Sequence, residues 1–124
     1  MKTEKDQWLA ENMKDGELYA GIVLGTEGSP DYHLVLLPNQ ATDVNWSAAR
    51  QWAFMREAAL PTRRELALLF ANRRDHFDRI WYWADEEHDT RPQLVWGQNF
   101  ASGIQTVYGK PFRGAACAVR RIEI

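Results

Sequence analysis

The sequence predicts an α+β domain built on an antiparallel β-sheet with two helices packed against it. Two apolar runs, residues 17–24 and 32–37, flank a loop rich in Gly, Pro and Asp, which is typical of a β-hairpin. Two helical patterns follow between residues 45 and 74, and aromatic or β-branched runs return between residues 80 and 124. A block of helices between two blocks of strands favours an antiparallel sheet over a parallel one.

The composition is that of a folded domain and excludes several classes of function. The 124 residues, 45% of them apolar and 12% aromatic, are enough to bury a core without disulfides or metal. The formal net charge of −2 provides no basic stripe, so we expect no nucleic-acid partner, and local clusters such as Arg63 and Arg64 fit solvated faces. No apolar run approaches the ~20 residues of a membrane-spanning helix, so we expect no membrane insertion.

The chain is predicted to divide into a polar arm, residues 1–15, and a single domain, residues 16–124. Trp8, Leu9 and Met13 lie in the arm near helical spacing, which leaves two interpretations open: a short amphipathic helix docked through Trp8, or a frayed segment. The arm lacks the apolar stretch of a signal peptide. We therefore expect synthesis in the cytoplasm.

The predicted hairpin opens the domain. Its first strand covers residues 17–24, its loop residues 25–31, and its second strand residues 32–37, which Pro38 closes. His33 lies within the second strand, so we expect it to have a structural role rather than a chemical one.

The first domain helix is predicted to begin near Asn45. Either Asp43 or Asn45 suits the N-cap position, because a short polar side chain there accepts a hydrogen bond from an exposed backbone amide. Apolar residues at helical spacing mark the expected buried side: Trp46, Ala49, Trp52, Ala53 and Met55.

The second domain helix has the clearest start signal in the sequence. Thr62 and Glu65 fit a capping box, in which each side chain accepts a hydrogen bond from the backbone amide of the other residue. Arg73 and Arg74 follow at the end of the helix, where the dipole favours positive charge. The predicted buried stripe consists of Leu66, Leu69 and Phe70.

The remaining strands are predicted to be short and rich in aromatic residues. In the first of them, residues 80–83, Trp81 and Trp83 share one face and Tyr82 takes the other. A loop over residues 85–92 follows. The further predicted strands are residues 93–100, 104–108 and 115–124.

The residue patterns of most kinds of catalysis are missing from the sequence. The only cysteine, Cys117, lies in a run of small apolar residues typical of the core and has no partner for an internal disulfide. No serine lies in a nucleophile-elbow motif, and no glycine-rich phosphate loop occurs. We therefore predict a protein that is not an enzyme, with no catalytic residue and no cofactor.

An acidic cluster, residues 85–89, is the most conspicuous group of ionisable side chains. Carboxylates are the ligands that Ca²⁺ prefers, and a histidine beside carboxylates is typical of acid–base chemistry. Consecutive charges on a short loop are more often simply solvated. We therefore expect no metal site here and retain Asp85, Glu87 and His88 as candidates for contact with a ligand.

A series of motifs carries a family resemblance over roughly residues 16–122. The motifs are Leu60-Pro61-Thr62-Arg63 with Glu65-Leu66, Trp81-Tyr82-Trp83 with Glu87, Trp96, Gln98-Asn99-Phe100, Gly103 with Gln105, and Ala118-Val119-Arg120. Their order and spacing resemble the DUF1566 family. That family includes the C-terminal domain of a collagen-like adhesin of Legionella and many phage and prophage proteins.

This resemblance implies a C-type-lectin-like fold, in which two helices flank a small twisted antiparallel sheet and the first and last strands pair. Proteins of this fold commonly contact ligands through their C-terminal strands and loops, which by analogy is the region from Trp83 to Arg113. The candidate ligand-binding residues are Asp85, Glu87, His88, Gln98, Asn99, Gln105, Tyr108, Lys110 and Arg113.

The function implied by the resemblance is that of a non-enzymatic binding or assembly module, encoded by a phage or prophage. The protein would be associated with the virion or tail and would contact a protein or carbohydrate surface. An alternative is a small structural protein whose N-terminal arm and aromatic strands mediate homo-oligomerisation without an external ligand.

Overall fold

The computed structural model describes residues 3–124 and confirms the α+β class, but the strands form two sheets rather than one and the helices number three rather than two. This part of the chain contains three α-helices and eight strands in two sheets. The helices are α1 (Glu4–Asn12), α2 (Trp46–Phe54) and α3 (Arg63–Arg73), and α3 continues into a 3-10 turn (Arg74–His76). The strands are β1 (Leu18–Val23), β2 (Tyr32–Leu36), β3 (Ala41–Val44), β4 (Trp81–Glu87), β5 (Leu94–Asn99), β6 (Gln105–Gly109), β7 (Gly114–Ala116) and β8 (Val119–Glu123). None of the described helices is long and apolar enough to cross a membrane.

The first sheet has three antiparallel strands in the order β1-β2-β8. β1 and β2 form the predicted hairpin, but the expectation that the first and last strands pair is wrong, because β8 pairs with β2. The outer edge of β1 faces α3, where Asn72 Nδ2 donates to the carbonyl of Ala20 and Arg73 Nε donates to that of Tyr19. β8 therefore pairs with the side of β2 that β1 leaves unpaired.

The second sheet has five strands in the order β3-β7-β4-β5-β6, and only the pairing of β4 with β7 is parallel. The single closing strand predicted over residues 115–124 is in fact two strands. β7 ends at Ala116, β8 begins at Val119, and the two belong to different sheets. The sequence does not predict β3, which is short and contains Asp43 with a φ of 56°.

The start of α2 separates the two N-cap candidates. Asn45 is the cap, since its Oδ1 accepts from the backbone amide three residues on at 2.9 Å, whereas Asp43 lies in β3. Met55 is 72% exposed rather than buried, because α2 ends before it. Three residues of the predicted buried side are buried as expected: Trp46, Ala49 and Ala53.

The capping box predicted for α3 is present. Thr62 Oγ1 accepts from the amide of Glu65 at 3.2 Å, and Glu65 Oε1 accepts from the amide of Thr62 at 2.8 Å. Glu65 is also fully buried, and its carboxylate binds Arg121 of β8 and Tyr32 of β2, so the cap ties α3 to the first sheet. The predicted stripe behind it is buried or half-buried: Leu66, Leu69 and Phe70.

The buried side chains form two clusters on opposite faces of β4 and β7. Tyr82 belongs to the cluster beneath α3, and Trp83 belongs to the cluster beneath α2. Trp81 packs on the same side as Trp83, with their ring centroids 4.7 Å apart. The predicted alternation of these three aromatic residues is confirmed.

The helix α1 lies against the first sheet. The ring of Trp8 packs 4.1 Å from that of His33, whose Nδ1 is 2.8 Å from the hydroxyl of Tyr19. Arg120 of β8 donates two hydrogen bonds, of 2.8 and 2.7 Å, to the carboxylate of Glu17 just beyond the helix. Of the two interpretations of the arm, the docked helix is the one observed, although α1 buries no residue completely.

Candidate functional site

A groove opens at the surface where the N-terminal half of α3 faces β5 and β6. It encloses about 720 Å³, and we refer to it as the α3 groove. It is lined by Arg63, Arg64, Ala67 and Phe70 of α3, Glu86 of β4, Gln98 of β5, Ser102 and Gly103 of the following turn, and Gln105 of β6. Two of these residues, Gln98 and Gln105, are among those predicted to contact a ligand.

Strand register and helix capping bring the polar side chains of the groove together. Gln98 and Gln105 lie directly opposite each other in the β5–β6 pairing, so their side chains are neighbours on one face of the sheet. The Thr62 cap starts α3 immediately before Arg63. The guanidinium of Arg63 lies 3.5 Å from the ring centroid of Trp96, a cation–π contact that holds this side chain in place.

A chain of hydrogen bonds runs in one direction along the floor of the groove. Arg63 Nε donates to Gln105 Oε1 at 3.0 Å, and Gln105 Nε2 donates to Gln98 Oε1 at 2.8 Å. A guanidinium group only donates, so Arg63 fixes which end of each amide is oxygen and which is nitrogen. The chain ends at Gln98 Nε2, which makes no hydrogen bond within residues 3–124.

Gln98 is almost completely enclosed by protein. Its exposed fraction is 1%, and what remains accessible opens into the α3 groove. No buried side-chain polar atom among the described residues lacks a partner, so Gln98 Nε2 reaches the solvent of the groove, where an oxygen atom of water or of a ligand can accept from it. The end of the hydrogen-bond chain is therefore a position for an acceptor atom of a ligand.

The walls of the groove add a carboxylate, a cation and an aromatic ring. Glu86 Oε1 accepts from the backbone amide of Arg63 at 2.8 Å, at the helix end where the dipole favours negative charge. Arg64 is exposed and donates to a backbone carbonyl at 3.0 Å. Phe70 forms the apolar wall, and Gly103 passes so close to it that an added Cβ would lie 2.9 Å from the ring.

The acidic residues do not form the predicted loop. β4 continues to Glu87, so successive acidic side chains point to opposite faces of the strand. Asp85 pairs with Arg50 at 3.1 Å and Glu87 pairs with Lys110, whereas Glu86 faces the groove. Over residues 3–124, no three His, Cys, Asp or Glu side chains are grouped so that they would hold a metal ion.

Two further candidate residues lie on the α2 side of the sheet, away from the groove. Tyr108 belongs to β6 and stacks on Trp81, with ring centroids 3.7 Å apart and planes 7° from parallel. The ammonium group of Lys110 lies 4.9 Å from the ring centroid of Trp46 in addition to its ion pair. Both side chains are thus engaged within the fold.

The last three candidates are spread over separate turns. Asn99 Oδ1 accepts from the backbone amide two residues on at 2.7 Å and so shapes the turn after β5. His88 Nδ1 lies 3.4 Å from the carboxylate of Asp89. Arg113 lies 3.5 Å from the carboxylate of Asp43 and is 68% exposed. The structure does not bring these side chains to the groove.

Seven of the nine lining residues of the groove are not among the predicted site residues: Arg63, Arg64, Ala67, Phe70, Glu86, Ser102 and Gly103. For the two arginines a signal exists in the sequence, because positive charge in the first turn of a helix opposes the helix dipole. Their position directly after the capping threonine therefore indicates a role beyond solvation. No comparable local signal distinguishes Glu86 from the acidic residues on either side.

The chemistry available in the groove is that of binding through hydrogen bonds and an apolar wall. The only thiol of the chain, Cys117, is fully buried in the core, and burial raises its pKa. No model of a known protein family matches the chain, and no curated protein matches its sequence. The fold and the groove together define an α+β domain with a polar recess on its surface.

Proposed function

We propose that the chain is a non-enzymatic binding module that holds a polar group of a protein or carbohydrate surface in the α3 groove. The observation that carries this proposal is the unused donor of Gln98, which Arg63 and Gln105 hold in one orientation. A donor held in one orientation loses little conformational freedom when it binds, so an acceptor atom of the ligand can replace water on it at low cost.

The groups around this donor suit a ligand that mixes donors with acceptors. Gln98 Nε2 donates, Glu86 offers carboxylate oxygen, and the ring of Phe70 offers an apolar face. Carbohydrate hydroxyls and peptide amides combine these features, so both classes of ligand fit. The groove volume of about 720 Å³ also falls within the usual range of ligand sites, roughly 300–1,000 Å³.

The resemblance to the DUF1566 family supports the biological setting of the proposal. A domain displayed on a phage or prophage virion or tail would use such a groove to contact a host surface. Four of the lining residues belong to the motifs that carry the resemblance: Arg63, Gln98, Gly103 and Gln105.

Binding of the chain to glycan and peptide arrays tests the proposal. Gln98→Met removes the amide at nearly constant volume, and Gln51→Met makes the same change at an exposed position on α2. We expect Gln98→Met to lower the affinity for the ligands found on the arrays about fivefold to tenfold, because one lost hydrogen bond costs ~1 kcal/mol. Gln51→Met should leave binding unchanged.

A second pair of variants separates loss of binding from loss of folding. Arg64→Ala removes an exposed cation from the groove wall, and Arg113→Ala removes one that lies elsewhere. Thermal unfolding of each variant, followed by circular dichroism, shows whether the fold survives. The proposal is wrong if no array ligand binds, or if bound ligands respond to neither groove variant.

A further inference from the structure

Three of the four outer sheet edges within residues 3–124 are blocked. Side chains of α3 bond to the carbonyls of β1. The backbone of Ala59 bonds in both directions to Val119 of β8, at 3.0 and 2.8 Å. Asp43 interrupts β3 with a φ of 56°. Such devices prevent a sheet from pairing with strands of other molecules.

The fourth edge, the outer side of β6, carries no such device. Its residues, Gln105–Gly109, include no charge and no proline. At its two ends lie Ile104 and Phe112, which are 64% and 63% exposed. An uncharged edge strand between exposed apolar side chains is a template for strand addition.

The register of β6 shows which backbone groups are available. The amide of Asn99 donates to the carbonyl of Ile104 at 2.9 Å, so this opposed pair is a hydrogen-bonded one. Every second residue of β6 therefore bonds to β5, namely Thr106 and Tyr108. The N–H and C=O groups of Gln105 and Val107 point away from the sheet and bond to no other described residue.

We propose that two copies of the chain pair antiparallel through their β6 edges, about a two-fold axis at Val107. Each Val107 exchanges both backbone hydrogen bonds with its counterpart, and Gln105 of one copy faces Gly109 of the other. The two five-stranded sheets then become one continuous sheet. This inference does not depend on ligand binding by the α3 groove.

Charge favours a second copy as the occupant of this edge. Self-pairing sets only neutral residues opposite one another, and the cations beside β6 are engaged within their own chain, since Lys110 pairs with Glu87 and Arg63 donates to the side chain of Gln105. Like charges opposite each other would oppose pairing, and none occur. A strongly charged foreign strand would find no opposite charge along β6.

Sedimentation velocity over a concentration series tests the pairing with two matched variants. Thr106→Lys and Thr42→Lys place the same charge at exposed threonines on the two opposite edge strands of one sheet. We expect a dimer for the natural chain, a dissociation constant raised about tenfold by Thr106→Lys because a lysine on an edge strand opposes strand addition, and no change with Thr42→Lys.

Amide hydrogen exchange of the natural chain gives a test that needs no variant. The Val107 amide should exchange freely in dilute solution and become protected as the dimer forms, because its hydrogen bond exists only between copies. A chain that stays monomeric at high concentration overturns the proposal. A dimer whose dissociation constant is unchanged by Thr106→Lys also overturns it. A dimer that dissociates only when residues 1–15 are deleted would form through the N-terminal arm instead, and it overturns the proposal as well.

Discussion

Arg121 of β8 holds the fully buried carboxylate of Glu65 with two hydrogen bonds, each of 2.7 Å. The hydroxyl of Tyr32 donates a third at 2.6 Å, and the backbone amide of Thr62 donates a fourth at 2.8 Å. A buried charge is tolerated only when it is paired and hydrogen-bonded in this way. The cluster fastens the start of α3 to two strands of the first sheet.

Removal of the arginine should therefore be costly. Arg121→Leu leaves the buried Glu65 carboxylate without its counter-ion, but the Arg121 side chain is itself 36% exposed, so we expect the free energy of unfolding to fall by about 2–3 kcal/mol in urea titration. The matched control is Arg113→Leu, since the pair of Arg113 with Asp43 is exposed and should contribute less than about 1 kcal/mol. Equal losses in the two variants would contradict the structural role of the buried pair.

The same cluster makes stability depend on acid. Burial raises the pKa of Glu65, but hydrogen bonds from Arg121, Tyr32 and Thr62 outweigh burial and hold the pKa below its usual value. The stabilisation is therefore complete above the unfolded pKa of about 4.3 and is lost as the pH falls through the lower folded value. We expect the free energy of unfolding to decrease below about pH 4.3.

A titration of stability against pH in Glu65→Gln isolates this contribution. The variant lacks the ionisable group, so its unfolding free energy should fall less steeply in acid than that of the natural chain. Glu17, whose pKa is lowered mainly by its hydrogen bonds with Arg120, and Asp6, whose pKa is lowered mainly by the backbone amide of Thr3, contribute acid dependence in both proteins. Identical acid dependence in the two proteins would show that Glu65 is not the responsible carboxylate.

Substitution of two glycines with positive φ distinguishes the cost of backbone strain from the cost of steric crowding. Gly103 has a φ of 83° and Gly28 one of 86°, but an added Cβ meets Phe70 at 2.9 Å only at Gly103. We expect Gly28→Ala to cost about 1 kcal/mol of stability and Gly103→Ala distinctly more. Chemical denaturation measures both, and equal costs would mean that the wall of the α3 groove yields to the methyl group.

The capping boxes of α1 and α3 are of the same type, but the helices that they start differ in how deeply they are packed. Thr62→Ala should lower the free energy of unfolding by about 1 kcal/mol, because the start of α3 is packed into the core. Thr3→Ala removes the equivalent cap of α1, which accepts from Asp6 at 3.1 Å. Because α1 buries no residue completely, that variant should fray the helix in circular dichroism with little effect on global unfolding.

Local patterns in the sequence were sufficient for much of the fold. The capping residues Thr62 and Glu65 predict the start of α3, and the alternation of Trp81 and Trp83 predicts the faces of β4. The break between β7 and β8 has no such signal. Residues 115–118 are uniformly small and apolar, without Gly or Pro, so the point where the chain passes between sheets is invisible in the pattern.

The candidate site was predicted only in part, for a related reason. Gln98 and Gln105 are identified as polar residues of the C-terminal strands, but Arg63 is distant in sequence and meets them only through the packing of α3. Consecutive charges at Asp85 and Glu87 resemble a loop because such residues are rare in strands. Their ion partners come from α2 and the end of β6, and no sequence window contains them.

The position of β8 in the first sheet has a consequence for synthesis of the protein. Leu36 of β2 pairs with Val119 of β8, so the hairpin leaves the ribosome with one side of β2 open. Glu65 likewise emerges long before its counter-ion Arg121. The strand pairing of β2 with β8 and the ion pair of Glu65 with Arg121 can form only after the last strand of the domain has been translated. The β2 edge therefore stays unpaired until the last strand has been made, the Glu65 carboxylate stays in water until Arg121 is available, and folding waits for this long-range closure.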